Sequence, residues 1–160
     1  MPTATHGEAS VEIAAPAGVV YDLIADVTRM GDRSPECYRC EWLDGATGPQ
    51  VGSRFKGHNR VGLIRWSTTC VVTAAAPGRE FAFTVVSRQG REETQWRYLI
   101  NGSENVTTVT ESYQFLWCPW AARVGELPFP RDKQLRHGLR ETLDKIKIAA
   151  EEAAEPRTRQ

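Results

Sequence analysis

The stretch that decides the fold is RDKQLRHGLRETLDKIKIAAEEAA, residues 131–154. Its apolar residues recur at intervals of three or four, and charged residues stand between them. The apolar set is Leu135, Leu139, Leu143, Ile146, Ala150 and Ala153. This period predicts one long amphipathic helix, which at 1.5 Å per residue reaches about 36 Å. A helix with one apolar face needs another layer to cover, and that layer has to come from the residues before it.

The residues before this helix alternate between apolar and polar side chains, which is the two-residue period of half-buried strands. The alternating segments are residues 8–13, 38–43, 53–59, 64–74, 80–86, 93–101 and 107–117. Short turns such as Pro77-Gly78 and Asn101-Gly102 separate the later segments. Connections this short join antiparallel neighbours, because a parallel crossover needs a dozen or more residues.

Two short helical segments are predicted between the first and second strands. Pro16 suits the start of a helix, and the apolar spacing predicts a helix over Ala17–Ala25. A second turn or helix is predicted over residues 28–34, before Pro35 ends it. The predicted fold class is therefore α+β, with a curved antiparallel sheet of about seven strands wrapped around the long C-terminal helix. We expect a flexible tail over residues 155–160.

The composition indicates one globular domain with a core and excludes several classes of function. The chain has 160 residues, 20 Lys plus Arg against 20 Asp plus Glu, and 41% hydrophobic residues. A formal net charge of zero without a basic stripe argues against a nucleic-acid partner. No apolar run approaches the roughly 18 residues of a membrane span, and residues 1–10 are too polar for a secretory signal. Four dispersed cysteines favour a reduced protein, so we expect a cytoplasmic location.

Several motifs along the chain are similar to those of one superfamily. They are VEIAAP at residues 11–16, VYDLIAD at 20–26, SPEC at 34–37, VGSRFKGHN at 51–59, WRY at 96–98 and TTVTESY at 107–113. In these motifs the chain resembles the START-like, Bet v 1-like superfamily (SRPBCC), in particular bacterial polyketide cyclase/dehydrase-type proteins. The resemblance implies a helix-grip fold and a single START-like domain over residues 1–154. It does not fix the chemistry, since the superfamily includes lipid carriers, aromatase/cyclases, hormone receptors, chaperone regulators and oxygenase domains.

A curved sheet around one helix leaves a cavity, and apolar cavities are the usual place for a small ligand. We therefore predict binding or transport of a small hydrophobic or aromatic molecule, lipid-like or polyketide-like. The predicted ligand-binding residues are Phe55, Asn59, Trp66, Thr68, Phe83, Trp96, Tyr98, Glu111, Tyr113, Phe115, Leu135, Leu139 and Leu143. The long loop that starts at Trp117 is expected to act as a lid, and the turns at 59–63 and 87–90 are expected near the cavity mouth.

Glu111 is the most informative of these residues. It shares a strand face with Tyr113 and Phe115, so alternation places a carboxyl group on the apolar side of the sheet. Burial raises the pKa of a carboxyl group and suits it to proton transfer. In ligand receptors of the superfamily that the chain resembles, an equivalent Glu lines the pocket. If the strand face were reversed, a structural partner would be one of Arg54, Arg65 and Arg97.

The alternative function is an enzyme, an aromatase/cyclase or dehydratase that acts on a polyketide-like substrate. Glu111 would then transfer protons, and its partner would be one of Tyr98, Tyr113 and His58. Alternation places His58 on the other strand face unless the register slips at Gly57. The inner strand faces offer no clear Arg or His to activate a carbonyl group.

A third possibility is a module that binds a protein partner, which predicts a filled core and a large exposed apolar patch. We predict no cofactor and no metal, because the phosphate-loop, zinc and serine-hydrolase motifs are absent from the sequence. A homodimer stays open.

Cys37-Tyr38-Arg39-Cys40 is a CxxC motif. Zinc would need about four ligands, and no second CxxC or paired histidine accompanies it. A redox motif of this kind stands at a helix N-terminus, whereas a strand is predicted here. A spacing of three on a strand points the two thiols to opposite faces, so both cysteines are interpreted as structural.

Overall fold

The structure, a computed structural model, describes residues 6–117 and 131–156, and for residues 131 and 132 it describes the backbone alone. In chain order its elements are β1 (His6–Ile13), α1 (Ala17–Ala25), a 3₁₀ helix (Val27–Asp32), β2 (Cys37–Trp42), β3 (Arg54–Val61), β4 (Ile64–Ala76), β5 (Glu80–Val86), β6 (Glu92–Gly102), β7 (Thr107–Phe115) and α2 (Arg131–Ala154). The seven strands form one sheet in the order β1-β7-β6-β5-β4-β3-β2, and all neighbours are antiparallel. The predicted α+β fold is confirmed.

The long helix α2 lies against the edge strand β1, against β7 and against α1. Lys147 Nζ donates to the Glu12 carbonyl at 3.0 Å, and the Ala14 amide donates to Oε1 of Glu151 at 3.0 Å. Lys147 and Glu151 also form an ion pair one helical turn apart. These contacts hold the C-terminal half of α2 along the end of β1.

The apolar stripe of α2 forms one wall of the core. Its buried members are Leu135, Leu139, Leu143, Ile146 and Ala150. The sequence also predicts Ala153 in this stripe, but Ala153 is exposed and Ala154 packs against the core instead. After Ala150 the next residue of the stripe is therefore four positions along the helix, at Ala154, and not three. A period of 3.6 residues per turn allows either spacing. No helix in the described ranges is long and apolar enough to span a membrane.

The strand β2 contains a β-bulge. Between Cys37 and Arg39, two residue steps on β2 match one step on β3. Tyr38 and Arg39 are therefore both exposed, while Cys37 and Cys40 are both buried. The prediction that the two thiols lie on opposite faces is wrong, because it counts residues without the bulge. Tyr38 also departs from the predicted alternation, whereas Cys40 and Trp42 lie on the core side as it predicts.

Candidate ligand-binding site

A cavity of about 400 Å³ lies between α2 and the inner face of the sheet. Strands β2 to β7 provide the sheet side, and α2 provides leucines from its apolar stripe. Ten of the predicted ligand-binding residues line this cavity: Asn59, Trp66, Thr68, Phe83, Trp96, Tyr98, Glu111, Phe115, Leu135 and Leu139. Their contact with a ligand stays a prediction, but the residues do form one continuous wall.

Three of the predicted ligand-binding residues do not line the cavity, because they lie deeper in the core. Phe55 packs edge-on against Trp42 and Phe83, with ring centroids 5.8 and 5.0 Å apart. Tyr113 is 1% exposed and packs with two leucines of α2, and Leu143 is 2% exposed in the main core. Strand alternation predicts the face on which a side chain lies but not its depth.

Glu111 is buried on β7 and lines the cavity. Tyr98 stands opposite it on β6, and the Tyr98 hydroxyl donates to Oε1 of Glu111 at 2.7 Å. Oε2 of Glu111 has no hydrogen-bond partner within the part of the chain that the structure describes. A buried polar atom without a partner is costly, so Oε2 is the point at which a polar group of a ligand would be favoured.

The environment of Glu111 changes its protonation state. Burial raises the pKa of Glu111 to about 8, although the hydrogen bond from Tyr98 and the charge of Arg33 act against the rise. Burial, together with the charge of Glu111, also raises the pKa of Tyr98. Glu111 is therefore mostly protonated at neutral pH. Because Oε1 accepts from Tyr98, the proton of Glu111 belongs on Oε2, and this O–H donor has no acceptor among the described residues.

Arg33 is a charged residue beside this pair that the sequence does not reveal. It is buried, and its guanidinium donates to the carbonyls of Leu23 and Ile24 near the C-terminal end of α1. Burial lowers the pKa of Arg33, and the nearby Tyr98 and Glu111 act in the opposite direction. Arg33 follows the 3₁₀ helix rather than lying on a strand, so no periodic pattern indicates its burial.

The arginines considered as structural partners of Glu111 all face away from the cavity. Arg54 and Arg97 form ion pairs with other acidic residues, and Arg65 is exposed. The alternative in which the strand faces are reversed is therefore wrong.

The structure also places His58 away from Glu111. Nε2 of His58 lies 3.1 Å from Oε1 of Glu41, whereas the neighbouring residues Gly57 and Asn59 line the cavity. The register between β3 and β4 continues through Gly57 without a shift. The alternation that puts His58 on the other face therefore holds.

Three cysteines and Met30 form a sulfur-rich part of the wall that the sequence does not predict. Cys37, Cys40 and Cys70 are free and buried, and all three line the cavity. The Sγ atoms of Cys37 and Cys40 are 3.3 Å apart. Gly57 pairs with Cys40 across the ladder and lies next to both sulfurs, since a Cβ there would be in ordinary contact with them, at 3.6 and 3.7 Å.

The predicted lid begins at Trp117, and residues 118–130 lie outside the described residues. Of the two turns expected near the mouth, 59–63 contributes Asn59 to the wall and 87–90 contributes nothing. Further wall residues that were not predicted to bind a ligand are Ser34, Pro35, Glu36, Gln134, Gly138 and Thr142.

The antiparallel sheet, the long helix packed on it and the cavity between them define a helix-grip protein. The family model described as polyketide cyclase/dehydrase and lipid transport matches residues 4–151. The chain belongs to this family.

Solved structures are similar to this chain. A polyketide-cyclase-like protein of Corynebacterium glutamicum is 32% identical, with a TM-score of 0.64 and 100% of both chains covered. The Zhui aromatase/cyclase of a Streptomyces species is 19% identical, with a TM-score of 0.58 and 93% of this chain and 90% of that chain covered. The di-domain aromatase/cyclase StfQ of the steffimycin pathway is 18% identical, with a TM-score of 0.63 and 92% and 45% covered. The last two similarities show the fold alone, and no curated protein matches the chain.

Proposed function

We propose that the protein binds and carries a small hydrophobic or aromatic molecule, lipid-like or polyketide-like, in the cavity between α2 and the sheet. One observation supports this most directly. The buried Glu111 lines a cavity of about 400 Å³, and its Oε2 has no hydrogen-bond partner among the described residues. A filled core gains nothing from such an atom, whereas a ligand that carries one polar group can satisfy it.

The wall favours a ligand with a flat or acyl apolar body. Trp66, Phe83, Trp96 and Phe115 contribute aromatic side chains to it. Burying about 200 Å² of apolar ligand surface contributes on the order of 5 kcal/mol before the costs of association. The zero net charge of the chain provides no long-range attraction, so desolvation is the main driving force.

The carboxyl group of Glu111 narrows the ligand class further. Protonated Glu111 donates from Oε2, so the preferred ligand presents a carbonyl or other acceptor oxygen at that point. One such hydrogen bond contributes about 1 kcal/mol net, and leaving the buried donor unpaired costs more. The proposed ligand is therefore an apolar molecule with an acceptor oxygen rather than a pure hydrocarbon.

Dye binding and displacement test this proposal. Nile red, a neutral hydrophobic dye, is titrated into the purified protein and then displaced by fatty acids or by aromatic ketones. Native mass spectrometry of gently purified protein identifies any molecule that copurifies. We expect saturable uptake at one site and displacement by ligands that carry a carbonyl group. No saturable uptake and no bound species would contradict the proposal.

Two variants at position 111 test whether the carboxyl group of Glu111 binds the ligand as a hydrogen-bond donor. Glu111→Gln keeps a donor at the position of Oε2 and should bind the dye and its competitors within about twofold of the wild type. Glu111→Leu removes the donor and leaves the Tyr98 hydroxyl without its acceptor, so affinity for carbonyl ligands should fall about tenfold, or about 1.4 kcal/mol. Glu41→Gln, away from the cavity, is the matched control.

An aromatase/cyclase or dehydratase is the second candidate function. The observation that favours it is the 2.7 Å hydrogen bond between Tyr98 and a carboxyl group, Glu111, whose pKa of about 8 suits proton transfer near neutral pH. The buried Arg33 beside them adds a positive charge. Of the other partners considered, Tyr113 lies in the core and His58 on the other strand face, so Tyr98 is the partner we retain.

Turnover distinguishes this second candidate from a carrier. A thioester-linked poly-β-ketone is incubated with the protein, and mass spectrometry follows the loss of water. If Glu111 transfers protons, Glu111→Gln should abolish turnover while ligand affinity stays near that of the wild type. Wild-type turnover in this variant would exclude Glu111 as the proton-transfer group.

The protein-partner alternative predicts a filled core, and the cavity argues against it. A cytoplasmic location, a homodimer, and a domain over residues 1–154 with a flexible tail over 155–160 stay predictions.

A further inference from the structure

Cys37 and Cys40 form a pair of thiols that the proposed ligand-binding role does not use. Both are free and buried, and their Sγ atoms are 3.3 Å apart. A disulfide bond has an S–S length of about 2.05 Å, so the two sulfurs need to approach by little more than about 1 Å.

The β-bulge in β2 is what brings the two thiols together. In a regular strand, residues three apart point to opposite faces. The register shift between Cys37 and Arg39 turns both cysteines inward, and Gly57 on β3 keeps the space in front of the sulfurs free of a side chain. Bulges are frequent beside functional sites because they redirect a side chain.

The two thiols differ in character. Hydrogen bonding with Cys40 lowers the pKa of the Cys37 thiol, whereas the same hydrogen bond and burial raise the pKa of Cys40. This difference favours Cys37 as the nucleophile of the pair and Cys40 as the second thiol that resolves the product. Cys70 lines the same cavity, but burial raises the pKa of its thiol to about 12, and its hydrogen bond is with Thr68.

We propose that Cys37 and Cys40 are an oxidisable dithiol that reacts with small hydroperoxides entering the cavity and closes to a disulfide. The Cys37 thiolate attacks one peroxide oxygen and becomes a sulfenic acid, while the O–O bond breaks and the other oxygen leaves with a proton as water or an alcohol. The Cys40 thiol then attacks the sulfenic sulfur, the S–S bond forms, and a molecule of water leaves. Two thiols lose two electrons, and the peroxide gains them.

The placement of the pair favours a small oxidant. Cys37 and Cys40 are only 6% and 5% exposed, and both line the cavity wall. A protein disulfide cannot reach sulfurs buried to this degree, whereas hydrogen peroxide or an organic hydroperoxide fits within about 400 Å³. The apolar wall also favours hydroperoxides that carry a hydrocarbon chain.

Peptide mapping after peroxide treatment tests the proposal directly. The fully reduced chain receives one equivalent of hydrogen peroxide or cumene hydroperoxide, and remaining thiols are blocked in denaturant. Two of the four cysteine thiols in the sequence should no longer react with the blocking reagent. Before the thiols are blocked, the intact mass should fall by about 2 Da, the mass of two hydrogens.

The sequence makes the cross-link easy to identify. Arg39 lies directly before Cys40, so trypsin cuts between the two cysteines. The oxidised protein should therefore yield residues 34–39 joined to residues 40–54 by a disulfide, and dithiothreitol should separate them. No thiol loss at tenfold excess peroxide, or a main product that joins any other pair of cysteines, would overturn the proposal.

Single variants assign the two roles. Cys70→Ala is the matched control, because it removes a thiol from the same wall and should leave the cross-link unchanged. Cys40→Ser should abolish the cross-link and leave a sulfenic acid on Cys37, which dimedone traps. Equal trapping at Cys37 and Cys70 in this variant would overturn the assignment of Cys37 as the nucleophile.

Discussion

At the scale of single residues, Glu111 lowers the stability of the folded protein in a way that depends on pH. Its pKa is about 8 in the folded chain, against the ordinary 4.5 for an exposed carboxyl group. Below pH 4.5 both states hold the proton. Between pH 4.5 and 8 the unfolded chain releases it while the folded chain keeps it, so rising pH favours unfolding. Above pH 8 this penalty is complete and no longer grows.

Glu111→Gln should remove this dependence. For the wild type we expect the free energy of unfolding to fall by up to about 1.4 kcal/mol per pH unit between pH 5 and pH 8. The variant should show a flatter profile and should exceed the wild type in stability at pH 8. Urea unfolding at four pH values measures both profiles, with Glu41→Gln as a control that keeps the wild-type slope. A flat wild-type profile would show that the pKa of Glu111 is not raised.

At the scale of elements, the sequence predicts most where one period governs a whole segment. Ala17–Ala25 and Glu80–Val86 begin and end where the pattern places them. A period cannot reveal an added residue, so the bulge that turns Cys37 inward escapes prediction. Nor does it reveal burial that depends on distant partners. Arg33 is buried because the end of α1 offers it two carbonyls, and a local pattern contains no information about them.

The pairing of β1 with β7 depends on a glycine. Gly7 pairs with Tyr113, and a Cβ at Gly7 would lie 2.7 Å from Cε1 of the Tyr113 ring. That ring is 1% exposed, so it has little room to move. The close approach of strand and ring therefore disfavours any larger residue at position 7.

Gly7→Ala should destabilise the protein by about 1–3 kcal/mol, because the Tyr113 ring has to shift within a packed core. Gly18→Ala is the matched control, since nothing lies within 4 Å of its Cβ position on α1. The control should be neutral or up to about 1 kcal/mol more stable, because alanine favours the helix. Thermal unfolding compares the two, and equal melting temperatures would contradict the close contact at Gly7.

At the scale of the whole molecule, the fold leaves space that side chains could fill. Protein interiors are otherwise packed like organic crystals. A cavity of about 400 Å³ beneath α2 is therefore a region in which side chains lack the close packing of the rest of the interior. We expect stability and ligand binding to oppose each other here, as they do at many functional sites.

Thr142→Leu tests this opposition. Thr142 is buried on α2 and lines the cavity, so a leucine there adds apolar volume to the empty space. The melting temperature should rise by about 2–4 °C, which corresponds to about 1 kcal/mol in a chain of this size. Nile red affinity should fall at least tenfold. Thr108→Leu, at an exposed position of β7, is the control that should leave affinity unchanged. Unchanged affinity in Thr142→Leu would place the dye elsewhere.

The strand order carries a consequence for the way the chain acquires its structure during synthesis. β3 to β7 are joined by short hairpins, but β1 pairs with β7, and His6 meets Gln114. On the ribosome, β1 and α1 emerge long before the partners that cover them. Contacts this distant in sequence slow folding. They also leave apolar segments exposed to aggregation until the partner strands have been synthesised. We therefore expect the nascent chain to complete the hairpins first and to close β1 onto β7 and α2 last.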